Sequence, residues 1–145
     1  MLKRLMGTTN DVSFTILRVV LGVVFFAHGA QRMLGWFGGV GFHSAMEAFT
    51  QTGMPAPIAF LIICAQFFGG LGLVVGLLTR IASLGVAGLM IGAIFMVHLP
   101  YGFFMNWTGT QKGEGIEFHL LALAMAAALL LRGAGAFSMD RSLTK

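Results

Sequence analysis

The sequence predicts an all-α integral membrane protein: a four-transmembrane-helix bundle with a short interfacial helix in the first outer loop. Of 145 residues 57% are hydrophobic and 10% charged, with a mean hydropathy of +0.89, against about 25% charged residues in soluble domains. Two runs hold no Lys, Arg, Asp or Glu, 32 residues at 48–79 and 31 residues at 81–111, and a helix needs roughly 20 apolar residues to cross the hydrocarbon. Neither run alternates, so the strands of a membrane barrel are excluded.

Taken in order, the first span is expected over residues 12–34, with Arg18 inside it. Lys3 and Arg4 ahead of an apolar run imitate a signal peptide, but Arg18 falls in the would-be hydrophobic region and no A-x-A site follows, so the span is retained. Phe42, Met46 and Phe49 then recur at i, i+4, i+7, with His43, Glu47 and Gln51 elsewhere on the wheel. That pattern predicts a short helix lying at the interface or capping the bundle. Pro55 and Pro57 suit the start of a second span at 56–78, and Pro100 ends or kinks a third at 80–99. The fourth, 114–132, has only 14 uncharged residues between Glu117 and Arg132, so Glu117 enters the bilayer margin. With no internal repeat or low-complexity tract, residues 1–145 read as one domain.

Glycine is expected to pack the spans. Gly72-x-x-x-Gly76 and Gly88-x-x-x-Gly92, with Gly69 and Gly85 one turn earlier, let backbones approach closely within the bundle or across a homo-oligomer face. Trp36 and Phe37 follow the first span, and Tyr101, Phe103, Phe104 and Trp107 the third, as amphipathic rings do at headgroup level. Lys3, Arg4, Arg80, Arg132, Arg141 and Lys145 fall on the side of the termini, against Arg32 and Lys112 on the other, which predicts both termini in the cytoplasm. Because the basic residues are spread among helix ends and not along one groove, the pI of about 10.0 implies no nucleic acid.

Function is expected among the polar residues of the spans. At 100° per residue Gly22, His28, Gly29 and Arg32 all lie within about 80° of Arg18. A charge at a helix centre costs roughly 2.5–3.5 kcal/mol, so Arg18 should face the bundle interior or snorkel to the inner surface. Gln66 on the second span is the expected hydrogen-bond partner for it. Cys64, the sole cysteine, excludes an intrachain disulfide or a cysteine-rich metal site.

At the outer face the candidates are His28, Arg32, His98, Glu114, Glu117 and His119. The histidines are metal or haem ligands by type, but none shares a motif, so neither haem nor a metal is expected. Glu117 opposite His28 or Arg32 would close the bundle as an ion pair. The alternative is a quinone or small-anion site in which Arg32 binds an oxyanion, Glu117 or a histidine moves protons, and Trp36, Phe103 and Phe104 form the wall. On that reading His28, Arg32, His98 and Glu117 converge in one pocket within about a helical turn of the outer surface.

Arg18-x-x-x-Gly22-x-x-Phe25-x-x-His28-Gly29-x-x-Arg32 resembles the opening pattern of the DoxX family of small four-span membrane proteins. Gly69-Gly70 ahead of Gly76-Leu77-Leu78-Thr79-Arg80, His98-Leu99-Pro100-x-Gly102-Phe103-Phe104, Gly113-x-Gly115-x-Glu117 and Gly133-x-Gly135-x-x-Ser138-x-Asp140-Arg141 agree in order and spacing, so the resemblance covers residues 12–141. It implies a four-helix bundle in a bacterial inner membrane, linked in some members to a quinone-reducing oxidoreductase subunit. The family often has glutamate where this chain has Gln66, which weakens any mechanism needing a carboxylate beside Arg18. Three classes of function follow: a membrane oxidoreductase subunit served by a redox partner protein that brings the cofactor, a non-catalytic scaffold or assembly factor, and a small transporter or channel. Four short spans without paired broken helices argue against the last.

Overall fold

The computed structural model describes residues 6–144, so Lys3, Arg4 and Lys145 lie outside the described residues. Helix α1 (Val12–Met33) starts where the Asp11 carboxylate accepts the Ser13 N–H at 2.8 Å, a side-chain cap. A short helix α2 (Gly41–Gln51) follows, then α3 (Ala56–Val75) behind Pro55, and α4 (Thr79–Ala93). Helix α4 continues as a wider π turn, Ile94–His98, and a tight 3-10 turn, Leu99–Tyr101. Pro100 lacks a donor and crowds the carbonyl four residues back, so the α ladder stops there. Helices α5 (Glu117–Arg132) and α6 (Met139–Thr144) complete the chain.

Helix α1 packs most extensively on α3, α3 on α4, α4 on α5, and α5 back on α1, an up-down-up-down bundle. Leu21, Phe25, Leu73, Val86, Met90, Ala122, Ala126 and Leu129 form its core. α1, α3 and α4 with its continuation to Tyr101 are long and apolar enough to cross a membrane. α5, at 16 residues, is the short member, about 24 Å at the standard rise against ~30 Å of hydrocarbon. It starts at Glu117 and not at residue 114, and the N–H groups of Gly115, Ile116 and Glu117, which the helix start leaves without an intrahelical partner, are satisfied by the carbonyls of Phe104, Gly102 and Phe103. Helix α2 packs on α1 and α3, with Phe42 edge-on to Phe60 at 6.1 Å.

Glycine packs the bundle through Gly22 and Gly29, on the face shared with Arg18, and through Gly70, more than through the expected Gly-x-x-x-Gly pairs. A Cβ on Gly22 would meet Val74 N at 2.7 Å and Gly70 O at 2.9 Å, one on Gly29 the backbone of Gln66 and Phe67, and one on Gly70 the backbone of Phe26. Around Gly88 and Gly92 nothing lies within 4 Å, while Gly76, at φ 72°, ends α3 and makes room for Arg18 and Ser138: a Cβ there would meet Ser138 Cβ at 2.6 Å and Arg18 Cζ at 2.8 Å. The glycines that matter sit on α1 and its antiparallel neighbour, where the two backbones touch.

At the end carrying the termini, charged side chains are spent on helix ends. Arg18, 2% exposed, donates to the carbonyls of Leu73 (2.8 Å), Val74 (2.5 Å), Ala134 (2.8 Å) and Phe137. It thereby caps the C-terminus of α3, where a cation also complements the helix dipole. Arg80 does the same for α5 through Leu130 and Leu131. The Asp140 carboxylate, 1% exposed, accepts the N–H groups of Leu78 (2.7 Å) and Thr79 (2.9 Å) and so caps α4. The pairing expected between Arg18 and Gln66 is not formed, because Gln66 stands opposite Gly29, about three turns along α1 from Arg18.

Candidate functional site

Hydrogen bonds and ring contacts at the opposite end of the bundle sort the candidate residues into two groups. On α1 and α3, Arg32 donates to the side-chain oxygen of Gln66, which is 8% exposed, and its guanidinium lies 5.6 Å from the ring centroid of Phe49 on α2. A hydrogen bond from a charged donor is worth about 1.5–3 kcal/mol and a cation–π contact about 0.5–2 kcal/mol. Gln66 therefore aims the guanidinium, and Phe49 roofs it. Gln66 is neutral, so the centre keeps its positive charge. His28 is exposed one turn before Arg32. The buried stripe of α1 runs through Leu21 and Phe25 and then turns toward Gly29 and Ala30, which leaves His28 at its edge. Trp36 lies beyond, about half exposed and packed edge-on to Phe37 at 6.3 Å.

The second group belongs to α4, α5 and the loop between them. The π turn places His98 against His119, ring centroids 4.1 Å apart, and His98 Nδ1–H donates to the Glu114 carbonyl at 2.8 Å. His119 is 5% exposed. Glu117 pairs with neither His28 nor Arg32. Its Oε1 accepts the Met105 N–H at 3.1 Å and the Trp107 indole N–H at 2.9 Å, while Glu114 accepts the Asn106 N–H at 2.6 Å. Phe103 and Phe104 pack edge-on at 5.1 Å, and their strand-like pairing with residues 115–117 leaves no room for a side chain at Gly115. That crossing accounts for the order Gly102-Phe103-Phe104 and Gly113-x-Gly115-x-Glu117.

Two clefts bear on chemistry. A mostly apolar one of about 420 Å³ is lined by Phe103, Met105, Trp107, Glu117, Phe118, Leu120 and Leu121, and opens on the exposed side of α5. It includes Phe103 and Glu117 from the expected pocket but not His28, Arg32, His98, Trp36 or Phe104. The other, about 540 Å³, lies at the terminal end against Phe137, Ser138 and Arg141, beside side chains already committed to backbone. Among the described residues no group of three or more His, Cys, Asp or Glu could hold a metal ion. Trp107, Phe118 and Gln66 as the partner of Arg32 were the participants missed from sequence. Only the register of the Gly22, Gly29 and Gly70 contacts would have revealed the last.

Comparison with known proteins gives a consistent answer. The DoxX family profile matches residues 13–99. The chain is similar to "Putative oxidoreductase CatD" of Bacillus subtilis (strain 168), 30% identical over 135 residues, covering 93% of this chain and 90% of that one. It is also similar to "Inner membrane protein YqjF" of Escherichia coli (strain K12), 29% identical over 140 residues, covering 97% and 98%. No solved structure matches it.

Proposed function

Because this chain belongs to the DoxX family of membrane proteins, we propose that it is the membrane subunit of an oxidoreductase system that docks a quinone at its outer face. Electrons come from a redox partner protein, which carries the cofactor. The observation that carries this reading is the apolar cleft with a single carboxylate in its wall. Apolar walls with few convergent polar groups are what a small planar ligand requires. Phe103, Trp107 and Phe118 would hold the ring, and Glu117, whose two hydrogen bonds both fall on Oε1, would offer Oε2 to a ring oxygen. Reduction of a quinone consumes two electrons and two protons, and Glu117 would pass a proton. The name of the Bacillus subtilis relative agrees with redox work.

The residues expected in one pocket then divide their work. Glu117 and Phe103 serve the quinone, with Phe104 behind Phe103, and His98 stands on the far side of the same loop. Arg32, with His28 and Trp36 at the rim, forms a separate small-anion patch whose charge Gln66 does not neutralise. The partners in this reading are the lipid bilayer, the redox protein and a second copy of the chain, for which the face of Gly88 and Gly92 is open. The location is a bacterial inner membrane with both termini cytoplasmic. A second reading, a non-catalytic scaffold, is favoured by Arg18, Arg80 and Asp140 all being spent on backbone groups.

Purification in mild detergent, followed by a visible spectrum and mass spectrometry of extracted lipids, tests both. The quinone reading expects co-purifying quinone, lost at least about tenfold in Glu117→Gln and Phe103→Ala while the thermal unfolding midpoint stays within a few degrees. Absence of quinone from wild-type protein extracted from quinone-replete membranes would favour the scaffold.

A further inference from the structure

We propose that His98 and His119 form a two-imidazole site for a borderline divalent metal ion of the zinc, nickel or copper type, independent of the quinone cleft. The expectation of no metal rested on the spacing of the histidines, but the bundle brings together two residues 21 positions apart in sequence. Their ring centroids lie 4.1 Å apart with the planes tilted by 43°. Neither ring satisfies the other. His119 Nδ1 is buried without a hydrogen-bond partner, and the side chain is 5% exposed. An orphaned ring nitrogen in such a place calls for an occupant.

The chemistry of His98 indicates which. Its Nδ1–H is held by the Glu114 carbonyl at 2.8 Å, which fixes the tautomer and turns Nε2 into a lone-pair donor. A backbone carbonyl fixing one ring nitrogen so that the other can ligate is the usual second layer of a histidine metal site. Imidazole suits zinc, copper and nickel and does not suit magnesium or calcium, so the class of ion follows from the donors. No third histidine, cysteine or carboxylate among the described residues joins them. Solvent would therefore complete the coordination sphere, which leaves the ion exchangeable and open to a further ligand. Position also favours the site: His98 is the last residue of the π turn, and His119 lies in the first turn of α5, so an ion would pin the ends of α4 and α5 together beyond the long loop.

The protein should be purified with an affinity tag free of histidine, stripped with chelator, and titrated in detergent with Zn²⁺ by calorimetry and with Cu²⁺ by electron paramagnetic resonance. The expected result is one Zn²⁺ per chain and a Cu²⁺ spectrum with coupling to two nitrogens. His98→Gln and His119→Gln should each weaken Zn²⁺ binding at least about tenfold, and His43→Gln, at an exposed position on α2, should not. The wild-type spectrum decides the matter even where a variant fails to fold. Lack of stoichiometric binding, coupling to fewer than two nitrogens, or loss of the site in His43→Gln overturns the proposal. None of these readouts involves quinone, so the site stands or falls separately from the cleft.

Discussion

Arg18 shows how a residue that insertion energetics mark as costly is made tolerable. Four carbonyl oxygens receive its guanidinium, two from the last turn of α3 and two from the segment before α6. Arg18→Leu keeps the bulk but strands those acceptors in a dry interior. The expected loss is on the order of 3 kcal/mol, read as a lower thermal unfolding midpoint in detergent. Arg18→Lys should fall between the two, since a point-charge ammonium cannot span four acceptors as a planar fork does. An unchanged midpoint in both variants would show that the carbonyls are solvated without the arginine. That Arg18 turns inward follows from the price of charge in lipid and was legible in the sequence. Its partners were not, because backbone carbonyls carry no side-chain signature, and Gln66 was assigned to it only by assuming a similar depth.

At the scale of elements, the contact between α1 and α3 decides the register of everything else. Gly29→Ala would push a methyl into the backbone of Gln66 and Phe67, so it should destabilise the bundle by about 1–3 kcal/mol through overpacking. Gly88→Ala, where a methyl meets open space, should be neutral or slightly stabilising through helix propensity. Paired thermal melts check the contrast, and equal effects at the two positions would contradict the packing described. The spans themselves were readable from apolar run length, and the short helix α2 from its i, i+4, i+7 pattern. Which small residues pack inward was not, since the Gly72/Gly76 and Gly88/Gly92 pairs and the single Gly70 cannot be ranked until the antiparallel partner is known. The late start of α5 was equally hidden, because it accompanies pairing between residues 102–104 and 115–117 across a long loop.

For the whole molecule, the closed ring of four helices places both ends of the described residues, 6–144, on one side, with Arg80, Arg132 and Arg141 there and Arg32 and Lys112 at the other end. A fluorescent protein fused after Lys145 should fluoresce and alkaline phosphatase at the same point should stay inactive. Active phosphatase would invert the orientation. The candidate site was legible as a list of residues but not as a constellation: parity of crossings predicts which helix ends share a face, yet not which side of the bundle each occupies. Arg32 and His98 accordingly belong to different helix pairs.

The acceptors of Arg18 also set an order of events during synthesis. Ala134 lies 116 residues downstream of Arg18 and Phe137 lies 119, a gap that takes on the order of 10 s to translate. Through that interval the first helix is in the membrane with its cation only half provided for, first without α3 and then without the C-terminal segment. A snorkelled side chain reaching the nearby headgroups bridges the wait. Residues 134–137 therefore complete the burial of a charge made more than a hundred residues earlier, and a nascent chain stopped after Arg132 should remain a ready target for membrane proteases.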